Sequence, residues 1–408
     1  MMYKQHIKNI ILITLLSLFL VGCSTKRPEA LPKAYANELP WGAIDLDINS
    51  DKPYSIKHSL GSVFTKKSNK YNKTKKPIPL DILTLTGGGS RGAFGTGLIV
   101  GWAHRGDMPK FNIITGISTG AVMAPFVFVG GEDLKKIEAF YTKSHTKDVF
   151  QSSWLDFFSR GNIMNAEPLK KLFKKNFDKE FLDKIAAEHK KGRRLYIGTT
   201  NMDTGQLVVW DMGAIASSNR PDKYDRFSEI IYASSALPVY LPPQYMKVEV
   251  EGKDYYQMHV DGGIYSQVFM IGLFINWAEV LNFNENANTN FDVTLYTIAN
   301  RKYRQRDRYE PSEQAPFDII EAYVLIEMDL LFDRSLYRLY QSCIQKDINF
   351  KMATIPDKME PIIVDPTEFN PDEMIQLFNM GYSMGIDGID WTTEVSLDEY
   401  DNNKFISK

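Results

Sequence analysis

The hydrophobic pattern changes character several times along the chain. An apolar run from Ile10 to Val21, interrupted only by Thr14 and Ser17, follows a basic stretch from Lys4 to Lys8. A stable spanning helix needs about 20 such residues, so this run is too short for one and fits the apolar part of a secretory signal. From Ser24 to Lys76 periodicity fades. Prolines recur at Pro28, Pro32, Pro40 and Pro53, and Lys66 to Lys76 carries six lysines and no acid. That composition predicts a flexible, solvated tether, because its apolar surface is too small to offset the entropy of ordering. Within it, Trp41 and the stretch Tyr54 to Phe64 keep enough apolar surface to touch a domain.

Beyond Pro77 the pattern is that of a folded unit. Asp81 to Thr86 and Phe111 to Thr115 read as short strands. Each runs through a glycine-bearing turn into an apolar helix, Ala93 to His104 and Ala121 to Val129. Arg194 to Thr199 and Leu207 to Asp211 are strand-like and flank the turn signal Asn201-Met202-Asp203-Thr204-Gly205, which makes Asp203 a turn residue. Asn370-Pro371-Asp372-Glu373 has the cap, proline and acid of a helix start, and predicts a packing helix that closes the fold. The runs Val268 to Leu281 and Ile319 to Phe332 are expected as buried helices beside the sheet. Strand-then-helix repetition predicts an α/β fold with a mainly parallel central sheet flanked by helices. The boundaries that follow are a signal at 1–22, a tether at 23–76, a domain at 77–390 and a tail at 391–408.

Composition narrows the function classes. Forty-eight basic against 50 acidic residues give a net charge of −2, and losing residues 1–22 removes Lys4 and Lys8 and no acid. The folded part is therefore acidic, which argues against nucleic acid as a partner. Two cysteines, Cys23 and Cys343, make neither a disulfide framework nor a four-thiolate zinc site. No internal repeat and no metal-ligand spacing emerges.

The candidate chemistry lies in the two glycine turns. Gly87-Gly88-Gly89-Ser90-Arg91-Gly92 stands between a strand and a helix, where converging N–H groups and the helix N-terminus favour an anion. Gly87, Gly89 and Gly92 also fit the dinucleotide fingerprint. That reading wants an acid at the end of the next strand, which instead ends in Gly116. Gly116-Ile117-Ser118-Thr119-Gly120 is G-x-S-x-G between strand and helix, a nucleophile elbow. Such a serine needs a base. His259 and Asp261 lie on one face of a strand that ends in Gly262-Gly263, so both a Ser118–Asp261 pair and a Ser118–His259–acid triad are open.

Two resemblances add to this. Leu20-Val21-Gly22-Cys23 looks like the lipobox of bacterial lipoproteins. It implies lipidation of Cys23, anchoring in a cell envelope and, with Ser24 following, the outer membrane. The glycine loop, the serine elbow and Asp261-Gly262-Gly263, in that order and with Ala233-Ser234-Ser235-Ala236-Leu237-Pro238 between, resemble the patatin-like phospholipase family over roughly Leu80 to Asn300. The resemblance implies a three-layer fold and a Ser–Asp dyad, Ser118 as nucleophile and Asp261 as base, acting on lipid or other acyl esters without a cofactor. It places the oxyanion hole in the loop Gly87, Gly88, Gly89, Arg91 and Gly92, with Arg91 shaping it. The run Ile264-Tyr265-Ser266-Gln267-Val268 departs from the asparagine or proline that many relatives carry. The aromatic stretch Val149 to Phe158 is expected either as subdomain core or as a lip over an acyl pocket. Two other classes use the same residues: a binding or assembly lipoprotein with an idle dyad, and a hydrolase of thioesters or peptides.

Overall fold

The computed structural model describes residues 27–71, 77–152, 164–270, 291–303, 316–357, 362 and 365–396. The elements that position the site are α1 (Ile56–Tyr71), β1 (Ile78–Leu85), α2 (Gly92–Arg105), β2 (Ile113–Gly116), α3 (Thr119–Val129), α4 (Leu134–Lys143), β3 (Arg194–Asn201), β4 (Gln206–Asp211), α5 (Lys223–Ser235), β5 (Gln244–Val250), β6 (Lys253–Asp261), β7 (Phe291–Lys302), α6 (Pro316–Gln345), β8 (Asn349–Ile355) and α7 (Pro371–Asp387). Hydrogen-bonded neighbours run β8-β7-β1-β2-β3-β6-β5, with β4 added on β3, in an eight-stranded sheet. The β8, β7, β1, β2 and β3 strands are mutually parallel, while β4, β5 and β6 pair antiparallel.

Alternation along the strands builds a core on each face. Leu83, Leu85, Ile114, Leu195 and Ile197 face α2, α3 and α7, whereas Leu80, Ile82, Ile113 and Tyr196 face α1 and α6. A parallel sheet covered on both faces reads as near-continuous apolar strands, and these do. The fold is thus helix, sheet, helix.

One register detail fixes the site. The β4 strand occupies one edge of β3 along Tyr196–Asn201, so β2 and β6 share the other. The β2 strand pairs with Arg194 to Ile197 and runs parallel; β6 pairs with Thr199 to Asn201 and runs antiparallel. Their carboxyl ends therefore meet head to head, Gly116 opposite Ile197 and Asp261 opposite Thr199, with Gly198 between.

Two expectations about the chain ends need correction. Residues 27–71 are not a solvated tether. Ile56, Leu60, Val63 and Phe64 recur at helical spacing on α1 and are at most 1% exposed against the sheet. The Ser59 hydroxyl bonds the Tyr196 hydroxyl at 2.7 Å and Asp211 at 2.8 Å, and the Arg194 guanidinium donates to the Ser59 carbonyl at 2.9 Å. Residues 27–31 run beside β6: Leu31 N–H donates to the Tyr256 carbonyl, and Tyr256 N–H to Glu29. The start of the expected tail is docked as well. Trp391 packs on Trp102 at 5.1 Å, and Thr392 exchanges two backbone hydrogen bonds with Met352. Residues 1–26, 72–76 and 397–408 lie outside the described residues, as do the lipobox with Cys23 and most of the run Val268 to Leu281.

The run Ile319 to Phe332 is helical, as expected, but it is not buried. Only from Phe332 onward does α6 enter the core, and Ile319, Ile320, Tyr323 and Ile326 are exposed. Cys343 is buried, and burial pushes its thiol up to about 12. No described helix is long and apolar enough to cross a membrane.

The closing helix α7 packs on α2 at backbone distance. A Cβ on Gly97 would lie 2.0 Å from the Phe378 carbonyl oxygen, and one on Gly381 2.1 Å from that of Phe94. Neither obstacle is a movable side-chain end. Gly97→Val or Gly381→Val is therefore expected to destabilise the fold by at least about 1–3 kcal/mol through overpacking. The effect is measured as a lower urea midpoint with unchanged m-value.

Candidate active site

The elbow is a matter of steric necessity. Ser118 sits at φ 54°, ψ −123°, a left-handed position for a residue with a side chain, between the end of β2 and the first turn of α3. Such backbone costs of order 1–3 kcal/mol and persists only where the surroundings over-determine it. Here they do. A Cβ on Gly116 would stand 2.4 Å from the Gly120 carbonyl oxygen, and one on Gly120 2.1 Å from that of Leu85. The Ser118 N–H donates to Ser234 Oγ at 3.0 Å, which donates in turn to the Gly198 carbonyl at 2.7 Å. The residue that separates the two strand ends thus also holds the elbow, through the last turn of α5.

Asp261 comes to the same point from the opposite direction. Its carboxylate accepts the Gly263 N–H at 2.7 Å and shares a cavity with the Ser118 side chain. It is 1% exposed. Desolvation dominates and raises its pKa to about 7, against the smaller lowering by the Ser118 side chain and the Gly263 N–H.

His259 has other partners. Its Nδ1 bonds Thr199 Oγ1 at 2.9 Å and its Nε2 bonds Gln257 Oε1 at 3.3 Å, and Trp210 Nε1 donates to the same Thr199 oxygen at 2.8 Å. Gln257 donates its amide N–H to the Glu38 carbonyl, so its Oε1 faces His259 and can only accept; Nε2 therefore carries the ring proton, and Nδ1 of the neutral imidazole accepts from the Thr199 hydroxyl. Burial drives its pKa down to about 3. Both ring nitrogens are engaged, so neither is free to take a proton from Ser118, and the triad alternative falls. Asp203 is a turn residue as expected, paired with Arg27 at 2.7 Å.

The glycine loop faces the elbow. Gly88 and Gly89 have φ of 150° and 56°, and their N–H groups have no acceptor among the described residues. A Cβ on Gly87 would touch Ser118 Oγ at 3.5 Å, so this loop passes directly over the hydroxyl. Gly92 opens α2 against Thr119 and Tyr141, and Arg91 N–H closes the turn on the Gly88 carbonyl at 3.1 Å.

Several residues that position this loop had no signal in the sequence. Asn300, at the end of β7, donates to the Thr86 carbonyl at 3.0 Å and accepts the Gly95 N–H at 3.1 Å. The Pro366 carbonyl accepts from the Ser90 N–H at 2.9 Å and hydroxyl at 3.2 Å, and Thr119 Oγ1 donates to the Gly89 carbonyl at 3.0 Å. Gln267 braces the Asp261 turn by donating to the Gly263 carbonyl at 3.0 Å. Only a capped strand end or a lone polar residue in an apolar run marked these positions.

Ser118, Asp261 and the loop open into one cavity of about 150 Å³. Phe140, Phe150, Leu169, Phe173, Leu241 and Phe369 make one wall apolar, while Leu325, Met328 and the Arg301–Asp329 ion pair form another. Val149 and Phe150 of the aromatic stretch line it; residues 153–158 lie outside the described residues. Among the described residues no group of three or more His, Cys, Asp or Glu side chains is placed to hold a metal.

Residues 83–272 match the sequence model of the family described as patatin-like phospholipase. The match covers a little under half of the chain. Patatin-13 of Solanum tuberosum is 25% identical over 205 residues, covering 45% of this chain and 49% of the relative. Patatin-05 of the same species is 24% identical over 202 residues, with the same coverage. The chain thus spans about half the length of the curated relatives it matches. Among solved structures, VipD from Legionella pneumophila aligns with 13% identity and a TM-score of 0.33, covering 76% of this chain and 66% of that one. Human GIVD cytosolic phospholipase A2 aligns with 12% identity and a TM-score of 0.26, covering 78% and 50%. The matched span contains Ser118, Asp261 and the glycine loop, but ends before Asn300 and Pro366.

The raised pKa of Asp261 has a consequence for stability. The folded state holds this proton more tightly than the unfolded chain, so folding is penalised wherever the carboxyl must be ionised in both. The penalty is absent below the unfolded carboxylate range, grows as pH rises from about 4, and is complete above about 7. Asp261→Asn, which removes it, is expected to raise the thermal midpoint at pH 8 and to change it little at pH 4. A midpoint shift independent of pH would count against the buried, uncompensated carboxyl.

Proposed function

We propose that the protein is a serine lipid acyl hydrolase working through a Ser118–Asp261 dyad and an acyl-serine intermediate. The observation that carries this is the Ser118 hydroxyl lining the same largely apolar cavity as a buried carboxylate whose proton affinity it lowers. Asp261 takes the proton as Ser118 Oγ bonds to the ester carbonyl carbon. The carbonyl oxygen gains the charge, facing the N–H groups of Gly88 and Gly89. Collapse of the adduct breaks the ester bond, and the departing alkoxide takes the proton from Asp261. Water then attacks the acyl-serine with Asp261 again as base, releasing the fatty acid and restoring the hydroxyl.

Three features support the roles. The carboxylate is a weak base in water, and burial brings its affinity for a proton close to working pH. Loss of one oxyanion donor typically removes about 2.7–4 kcal/mol of transition-state stabilisation. The aromatic wall beside Ser118 suits an acyl chain. Phospholipids are the substrate class favoured by the family match, and the same chemistry would serve a thioester or peptide. A lipid anchor on Cys23 would hold the domain at a cell-envelope membrane, the outer membrane by the residue that follows it, and stable anchoring takes more than one acyl chain.

Mass spectrometry of lipid products, with wild type beside Ser118→Ala, tests the activity. Free fatty acid and lysolipid are expected from wild type alone, together with labelling of wild type alone by a reactive fluorophosphonate. Absence of both would leave a binding or assembly lipoprotein as the better reading.

The pH profile has a determined sign. Only ionised Asp261 accepts the proton, so kcat/KM is expected to rise with pH through about 7 and level off above about 8.

A further inference from the structure

Helix α6 has two unlike halves. Phe332, Leu336, Leu339 and Cys343 are buried, whereas no described side chain before Phe332 on this helix is. Ile319, Ile320, Tyr323 and Ile326 are between 48% and 62% exposed. On the same turns Leu325 and Met328 face the Ser118 cavity. An apolar stripe and a wall of the cavity are thus neighbouring faces of one stretch of helix. Contiguous exposed apolar surface of this kind marks a place where something docks. No Lys or Arg occurs from 316 to 333, so the occupant is recognised by apolar matter and not by anionic charge.

The N-terminal arm says where that occupant lies. Arg27 forks onto Asp203 with bonds of 2.7 and 2.9 Å, donates to the Tyr256 carbonyl at 3.2 Å and lies over the Tyr245 ring. Asp203 follows the carboxyl end of β3, the end of the sheet at which β2 stops and Ser118 begins. Cys23 is four residues earlier, a reach of at most about 14 Å. A lipid anchor there would bring the bilayer to the mouth end of the cavity, with almost no slack.

We propose that the Ile319–Ile326 stripe of α6 is the surface on which the domain lies against a lipid bilayer, so that substrate passes over Leu325 and Met328 to Ser118. This rests on the lipid-hydrolase and anchor readings above.

The test uses the full chain reconstituted in phosphatidylcholine vesicles. Tyr323→Cys and Ile326→Cys carry an environment-sensitive fluorophore, and Ile344→Cys, exposed at the far end of α6, is the reference. The unsubstituted chain, treated alike, is the blank. Labels at 323 and 326 are expected to be quenched by lipids brominated on the acyl chain, at low and high salt alike. The label at 344 is expected to be quenched by aqueous iodide. Quenching of 323 and 326 by iodide overturns the proposal. So does shielding from both quenchers, which would mean that another segment of this chain or a second copy covers the stripe.

In parallel, the combined variant Ile319→Ser, Tyr323→Ser, Ile326→Ser should lose about tenfold or more in turnover of vesicle lipid. Turnover of a soluble short-chain ester should stay within about twofold. Equal loss on both substrates overturns the proposal. Should wild type turn over neither, the hydrolase reading fails, and the quenching result still decides the docking surface.

Discussion

The site depends on two strands that run toward each other along one edge of a third. The β3 strand outruns β2, and the vacant length of its edge is taken by β6 from the opposite direction. A parallel sheet alone would leave every carboxyl end on the same front, each followed by its own helix. The antiparallel closure brings a carboxylate from the far side into register with the serine and shuts water out in doing so. Burial, proton affinity and nearness to Ser118 are consequences of that one meeting.

What was legible in the sequence follows from how local each constraint is. Gly116, Ser118 and Gly120 could be read because the steric conflict they relieve lies within five residues. Asp261 could be read because strand and glycine turn are adjacent. The parts played by Asn300, Ser234 and the Pro366 carbonyl could not, since each acts on a group far away in the chain. Two differences between sequence and structure share another cause. The lysines and prolines before Pro77 suggest a solvated segment, yet four apolar residues on one face of α1 suffice to dock it. The mean apolarity of the run Ile319 to Phe332 says that the stretch avoids water and not what covers it.

The helix pair α2–α7 illustrates how the packing layer serves the loop. Glycines on both helices let the backbones touch, and the segment that leads into α7 carries Pro366 directly onto the glycine loop. The α2 helix begins where that loop ends, so the position of the loop is set from both sides: by its own helix through covalent continuity, and by α7's leader through two hydrogen bonds from Ser90.

That lock implies an order of events during synthesis. Ser118 and Asp261 belong to the first two thirds of the chain, but the Pro366 carbonyl that holds Ser90 is separated from it by 276 positions. A nascent or prematurely ended polypeptide would possess both side chains without the clasp that sets the loop above them. The assembled geometry of the elbow and loop is therefore completed late, when nearly the whole polypeptide has been made and has folded back on its own beginning.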